Sequence, residues 1–334
     1  MWSNEKMQSH IQGDLKLQIL AEEFKLDPVK LSENTSITTK NITQINVNFL
    51  DSIREDNLNY VKLDIDLSKT GSYILELIKN EEIIGQVVNI PCCMYLKDVG
   101  VKKSVLSTHL IIKPELRNKR YAESLICSSM KLMFEKNINF GYHWIENSRT
   151  KFAIESYFWY RPISLSKIHG KGYDLIKGES YHIPTIDLSV KFQKTVRQDF
   201  ISIKSRSKIR LLPEAEQLEL LFNVINFYTI IFEDKVIGII GYRKFDIIKP
   251  DNKILNSCQL CYFDCTFGYQ EKVFITLLHH LKNQNYCAIH GVLMSNLDLI
   301  MESMKFTITN IAYLDFFNLS HPNLKNNEIS LLYI

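Results

Sequence analysis

Two stretches of the chain, residues 73–88 and 228–242, carry β-type apolar runs on either side of a short acidic turn. In both, a glycine falls just after the second run begins, and Gly85 and Gly238 lie 153 positions apart. Each stretch predicts a hairpin. A further strand is predicted after each, over 105–112 and over 259–264. Apolar residues then recur at helical spacing. Leu125, Ile126, Met130, Leu132 and Met133 share a face over 122–136, and Val273, Phe274, Leu277, Leu278 and Leu281 share one over 271–283. An asparagine-bearing turn and a last strand close each unit, over 139–144 and 286–292. The pattern is therefore two copies of strand–strand–strand–helix–strand, which is an α/β (α+β) chain built by internal repetition. At 334 residues, two domains fit the length, with the boundary expected at 165/166.

Composition narrows the function classes. Hydrophobic residues make up 46% and charged residues 23%, the balance of an ordinary globular chain. Forty basic against thirty-seven acidic residues leave +3, spread evenly. Nucleic-acid binding, which relies on a concentrated basic face, is not expected. No apolar run approaches the roughly 20 residues of a membrane span. The N-terminus shows no apolar run of a secretory signal, so the seven cysteines read as reduced thiols of a cytoplasmic protein. The isoleucine-, asparagine- and lysine-rich composition fits an AT-rich genome, such as that of a virus or parasite.

The copies differ where chemistry would sit. Between strand and helix the first has Arg117-Asn118-Lys119-Arg120-Tyr121-Ala122, and the second has Thr266-Phe-Gly-Tyr-Gln-Glu271. A strand turning into a helix N-terminus presents free N–H groups and the positive end of the helix dipole. Arg117, Lys119 and Arg120 make that end suited to phosphates. A solvated basic turn would carry the same residues.

The strand–Arg-x-x-Arg-x-Ala–helix unit resembles the pyrophosphate loop of GNAT acyltransferases. Leu116 to Ala122 is similar to the L-R-S-K-R-L/V-A segment of the N-myristoyltransferase family. Four other segments match that family in order: Phe24 to Leu31, Ile83 to Pro91, Tyr157 to Ser164, and the ending Glu328 to Ile334. The resemblance runs from Phe24 to the last residue. It departs from the family at a lost tryptophan near Phe24, at Phe158 and Tyr160, and at Thr307–Asn310, which replaces a G-D-G turn.

That resemblance implies two fused GNAT-like domains sharing one saddle-shaped mixed sheet. It implies transfer of a myristoyl group from myristoyl-CoA, as co-substrate, to the amine of an N-terminal glycine peptide. No cofactor or metal is implied, since the thioester is already activated, and a monomer is expected. Phe24, Lys25, Ile111, Ile112 and the Arg117–Ala122 loop would hold acyl-CoA. The backbone N–H groups of His109 and Leu110 would form an oxyanion hole. Thr108, Tyr142, His143, Phe158, Tyr160 and Tyr173 would contact the peptide. The base would be the α-carboxylate of Ile334, which desolvation makes more basic. Two rivals stand beside this: a GNAT enzyme using a shorter acyl-CoA, and an inactive relative binding acyl-CoA or acyl-peptides.

Cys258, Cys261 and Cys265 have spacing that could suggest zinc. No second ligand pair accompanies them, and alternate strand positions suit apolar packing.

Overall fold

A computed structural model describes residues 17–19, 31–41, 60–61, 71–145, 153–168, 181–187, 189–248, 254–321 and 324–334. Its centre is one mixed sheet of 14 strands. In chain order these are β1 (Thr35–Asn41), β2 (Tyr73–Lys79), β3 (Glu82–Leu96), β4 (Gly100–Ile112), β5 (Phe140–Ile145), β6 (Ile154–Pro162) and β7 (Lys191–Lys194). There follow β8 (Ile209–Leu211), β9 (Asn226–Phe232), β10 (Lys235–Lys244), β11 (Ser257–Cys265), β12 (Ala288–Val292), β13 (Thr307–Phe317) and β14 (Ile329–Ser330). Helix α1 (Tyr121–Glu135) joins β4 to β5, and α2 (Gln270–Asn283) joins β11 to β12.

The expected repetition holds at the level of register. In the first copy β2, β3 and β4 pair antiparallel, and β4 pairs parallel with β5. In the second, β9, β10 and β11 pair antiparallel, and β11 pairs parallel with β12. The hairpin turns also correspond. Asn80 and Glu81 both have positive φ, as do Glu233 and Asp234, 153 positions on. Two consecutive positive-φ residues form the turn whose twist matches paired strands. Each hairpin also has a register shift beside its turn, at Leu77/Ile78 and at Ile230/Ile231.

The two predicted glycines have a packing reason. Gly85 lies under Ile112 and Leu125, and Gly238 lies under Val273 of α2. A Cβ at Gly238 would sit 2.6 Å and 2.8 Å from the two Val273 methyls. Valine is stiff at χ1, so the helix itself must move. Gly238→Ala is expected to cost about 1–3 kcal/mol, read as a lower urea midpoint with unchanged m-value.

The copies are interlocked by their last strands. β6, which follows the first copy, pairs with β12 of the second; β13, which follows the second, pairs with β5 of the first. β6 and β13 pair with each other at the centre. One apolar core accordingly draws on both copies and on the chain's final residues, including Val88, Leu106, Phe140, Tyr262, Phe316 and Leu332. A second core surrounds α2, and a third lies under α1. The seven cysteines are all free and buried. Burial pushes the Cys92 and Cys261 thiols up to about 12. Among the described residues no group of three His, Cys, Asp or Glu could hold a metal, and no helix is long and apolar enough to cross a membrane.

Candidate active site

The parallel ladder between β4 and β5 is only three pairs long: Ser104 with Phe140, Val105 with Gly141, Leu106 with Tyr142. Both strands run further, to Ile112 and Ile145, so they separate beyond Leu106 and Tyr142. At the separation β4 carries a bulge. Gln86 pairs with Ile111 and Val88 with Thr108, leaving Val87 opposite both His109 and Leu110. His109 takes the left-handed conformation, φ 52°. A bulge leaves its extra residue outside the ladder and bends the strand. His109 and Leu110 both line the gap.

A cavity of about 280 Å³ occupies the gap. Thr108, His109, Leu110, His143 and Trp144 line it from the two strands, Ile126 and Ser129 from α1, and Phe317 from β13. Its inner wall is fixed by Asn89, whose Oδ1 accepts from Ser107 Oγ at 2.7 Å and Ser129 Oγ at 2.9 Å. Burial pushes the His143 imidazole down to about 4, so the ring is neutral at pH 7. That ring stacks on Phe317, with centroids 5.0 Å apart.

The second copy repeats the same three-pair ladder: Ser257 with Ala288, Cys258 with Ile289, Gln259 with His290. What differs is the gap beyond it. There Tyr333 donates its backbone N–H to the Cys261 carbonyl at 2.8 Å. Cys261 corresponds to Thr108, 153 positions earlier. The final residues of the chain thus lie in the second gap. From it they run to the first. The Leu332 carbonyl accepts from Tyr142 Oη at 3.3 Å, and the Ile334 backbone oxygen accepts from Thr108 Oγ1 at 3.0 Å. Ile334 itself is 6% exposed.

Thr108, His109, Leu110, His143 and Ile334 are therefore brought together. Tyr142 lies wholly in the core, holding the terminal segment instead of lining the cavity. Phe158 packs on the Tyr333 ring at 6.0 Å, and Tyr160 lies buried beside His290 on β12. Ile112 packs under α1, and Ile111 stands opposite Gln86. Phe24, Lys25 and Tyr173 lie outside the described residues.

The basic loop enters α1 through two left-handed residues, Asn118 at φ 66° and Arg120 at φ 63°. Tyr121 turns its side chain inward, toward Lys79 and Ser32, so only its backbone faces the loop. No side chain caps the helix N-terminus. Arg117 Nε donates to the Ile112 carbonyl at 3.3 Å, which draws its stem back along β4. Arg120 makes two hydrogen bonds to Glu123, at 2.8 Å and 2.7 Å, while its guanidinium stays largely exposed. Lys119 and Asn118 are exposed.

Trp144, Phe317, Ser129 and the seat of Tyr333 on Cys261 were not legible as site features. The sequence signal that finds the last is the 153-residue offset itself, which maps Thr108 onto Cys261 and so pairs the two gaps.

No family model matches the sequence, and no curated protein sequence matches it. Solved structures do. A structure of the Saccharomyces cerevisiae N-myristoyltransferase with bound myristoyl-CoA superposes with a TM-score of 0.71 at 13% identity, covering 97% of this chain and 92% of that one. Another structure of the same enzyme with bound myristoyl-CoA gives 0.71 at 12% identity, covering 99% and 100%. A third, with myristoyl-CoA and inhibitors, gives 0.69 at 14% identity, covering 95% and 89%. Over nearly its whole length, the chain has the fold of N-myristoyltransferase.

Proposed function

We propose that the chain is an acyltransferase that moves a myristoyl group from myristoyl-CoA to the amine of an N-terminal glycine peptide. The observation that carries this reading is the course of the chain's last residues. They fill the second gap and bring the Ile334 terminus to Thr108, at the edge of the open first gap. Acyl-CoA would enter that first gap, its pyrophosphate at the start of α1 near Arg117, Lys119 and Arg120, its thioester at the bulge. The N–H groups of His109 and Leu110 would face the thioester oxygen as negative charge develops there.

A glycine amine arrives as an ammonium with a pKa near 8 and must lose a proton before it can attack. The Ile334 α-carboxylate accepts that proton. The neutral amine then forms the C–N bond. The C–S bond breaks, the CoA thiolate leaves, and the second amine proton restores the thiol. His143 is poorly matched to the base role, because burial holds it near 4. The reading divides labour between an acyl-CoA half, residues 1–165, and a half completing the peptide groove, residues 166–334, in a monomer.

The test incubates the intact protein with a Gly-starting peptide and acyl-CoAs from acetyl to myristoyl, with product read by mass. Myristoyl amide at the glycine nitrogen is expected, and none when that nitrogen is acetylated beforehand. A preference for acetyl-CoA would favour a shorter-chain enzyme. No product from any thioester, with acyl-CoA still bound, would favour an inactive binding protein. In the same assay, Arg117→Ala with Arg120→Ala should weaken acyl-CoA binding about tenfold; an unaltered affinity would remove the loop from the site.

A further inference from the structure

The two copies invite comparison of equivalent side chains, and one row differs in kind. In the first copy Ile90, Leu106, Tyr142 and Phe316 are neighbours across β3, β4, β5 and β13. All four are buried in the shared core. The equivalent row in the second copy crosses β10, β11, β12 and β6, and it holds Arg243, Gln259, His290 and Tyr160. Three apolar positions and one phenol have become a cation, an amide, an imidazole and a phenol, with the pairing unchanged.

Arg243 is 5% exposed. Its Nε donates to Gln259 Oε1, and its guanidinium lies 5.5 Å from the Phe245 ring. Among the described residues no carboxylate pairs with it, in contrast to Arg120 on Glu123 or Lys208 on Glu328. Gln259, Tyr160 and a neutral His290, held near 4 by burial, leave it the row's one full charge. Burial of a guanidinium without a counter-charge is unfavourable. The other buried arginine, Arg161, is satisfied by three backbone carbonyls, of Pro162, His182 and Met304. Arg243 meets the Gln259 amide oxygen and the Cys261 thiol, with Tyr333 close by, and among the described residues it has no counter-charge.

The row lies on the same side as the terminal segment. Cys261, two residues along β11 from Gln259, holds Tyr333, and the Tyr333 ring packs against Phe158 and Trp144. Phe245, His290, Phe158 and Tyr333 are half-buried around the buried Arg243, Gln259 and Tyr160. A peptide reaching Ile334 through the second half would pass this rim.

We propose that Arg243, positioned by Gln259 and flanked by His290 and Tyr160, forms a subsite for an acidic side chain, Asp or Glu, of the peptide substrate. This rests on the peptide-acylating function proposed above. A planar guanidinium offers a carboxylate two parallel N–H donors, which a lysine cannot imitate.

The test uses Gly-starting peptides in which Glu replaces Gln, one position at a time, from the second to the sixth residue. Turnover and binding of fluorescent peptides to the intact, acyl-CoA-loaded protein are measured in parallel. One position is expected to favour Glu by roughly tenfold to a hundredfold, the range for hydrogen bonds between charged groups. Arg243→Gln should bring that ratio to about one, and Arg243→Lys should restore only part of it. Transfer without any acidic preference, or a preference that survives Arg243→Gln, would overturn the subsite and leave the acyltransferase reading intact. Acid-selective binding without transfer would uphold the subsite and sink that reading. If Arg243→Gln folds poorly, the smaller change Arg243→Lys carries the same reading, and a native protein without acidic preference overturns the subsite by itself.

Discussion

Two glycines added after Ile334 should lower the turnover of peptide acylation at least a hundredfold while leaving acyl-CoA affinity within about threefold. The size follows from the role. A positioned general base contributes roughly 10²- to 10⁴-fold, and an extension moves the carboxylate away from where the amine must be deprotonated. The segment has little room to absorb the change. Tyr333 is hydrogen-bonded to Cys261, Leu332 to Tyr142, and the Ile334 oxygen to Thr108. Leu331, Leu332 and Ile334 are packed into the shared core. The α1 loop and the β4 bulge are contacts of the acyl-CoA side and are untouched by two residues at the other end of the chain. Deleting Ile334 is the sharper variant, since it shortens the segment without adding bulk. Turnover unchanged in both would transfer the base role to another group. Thr108→Val offers an intermediate case. It keeps the shape and removes the hydrogen bond to Ile334, so a loss of about tenfold in kcat with little change in KM would mark a positioning contact.

The fold was legible in the sequence because its signals were local. The acidic turns at 80–81 and 233–234, the glycines under each helix, and the apolar faces of α1 and α2 all declare themselves within a dozen residues. The strand exchange of β6 and β13 was not legible, because it depends on pairings between strands that are far apart in sequence. The site divided along the same line. The loop from Arg117 to Ala122 was readable as a unit. His109 and Leu110 were reached only through a resemblance, since nothing in Ser107-Thr-His-Leu-Ile announces a bulge with a left-handed histidine. Tyr142 looked like a groove aromatic but is a core residue whose hydroxyl anchors Leu332. Arg243 is not legible in the sequence for a simpler reason: a lone arginine at the end of a strand usually faces water, and only its burial in the fold shows that this one does not.

Acidification should unfold the protein well before its carboxylates protonate in bulk. His143, His290 and His321 are each pushed down to about 4 by burial. In the unfolded chain a histidine titrates near 6.5. Between those values the unfolded state takes up protons that the folded state refuses, so stability is fully present above about pH 6.5 and falls as the pH drops toward 4. Each group contributes about 1.4 kcal/mol per pH unit across that window, so three give roughly 4 kcal/mol per unit. One buried carboxyl works in the other direction. Asp264, held by the Ser205 and Ser330 hydroxyls, is pushed up by burial, so its folded form gains a proton before its unfolded form does and recovers part of the loss. The imidazole slope acts against a total stability of roughly 5–15 kcal/mol for a native protein. Thermal unfolding followed by circular dichroism should give a midpoint that is level from pH 8 to 7, declines below 6.5, and is lost near pH 5. His321 packs on Phe316, with centroids 4.9 Å apart, and is placed in no site, so His321→Gln separates stability from chemistry. It should remove about a third of the imidazole slope. A midpoint that stays level down to pH 5 would mean that the three imidazoles accept protons in place, and that His143 and His290 are more open to water than the packing around them implies.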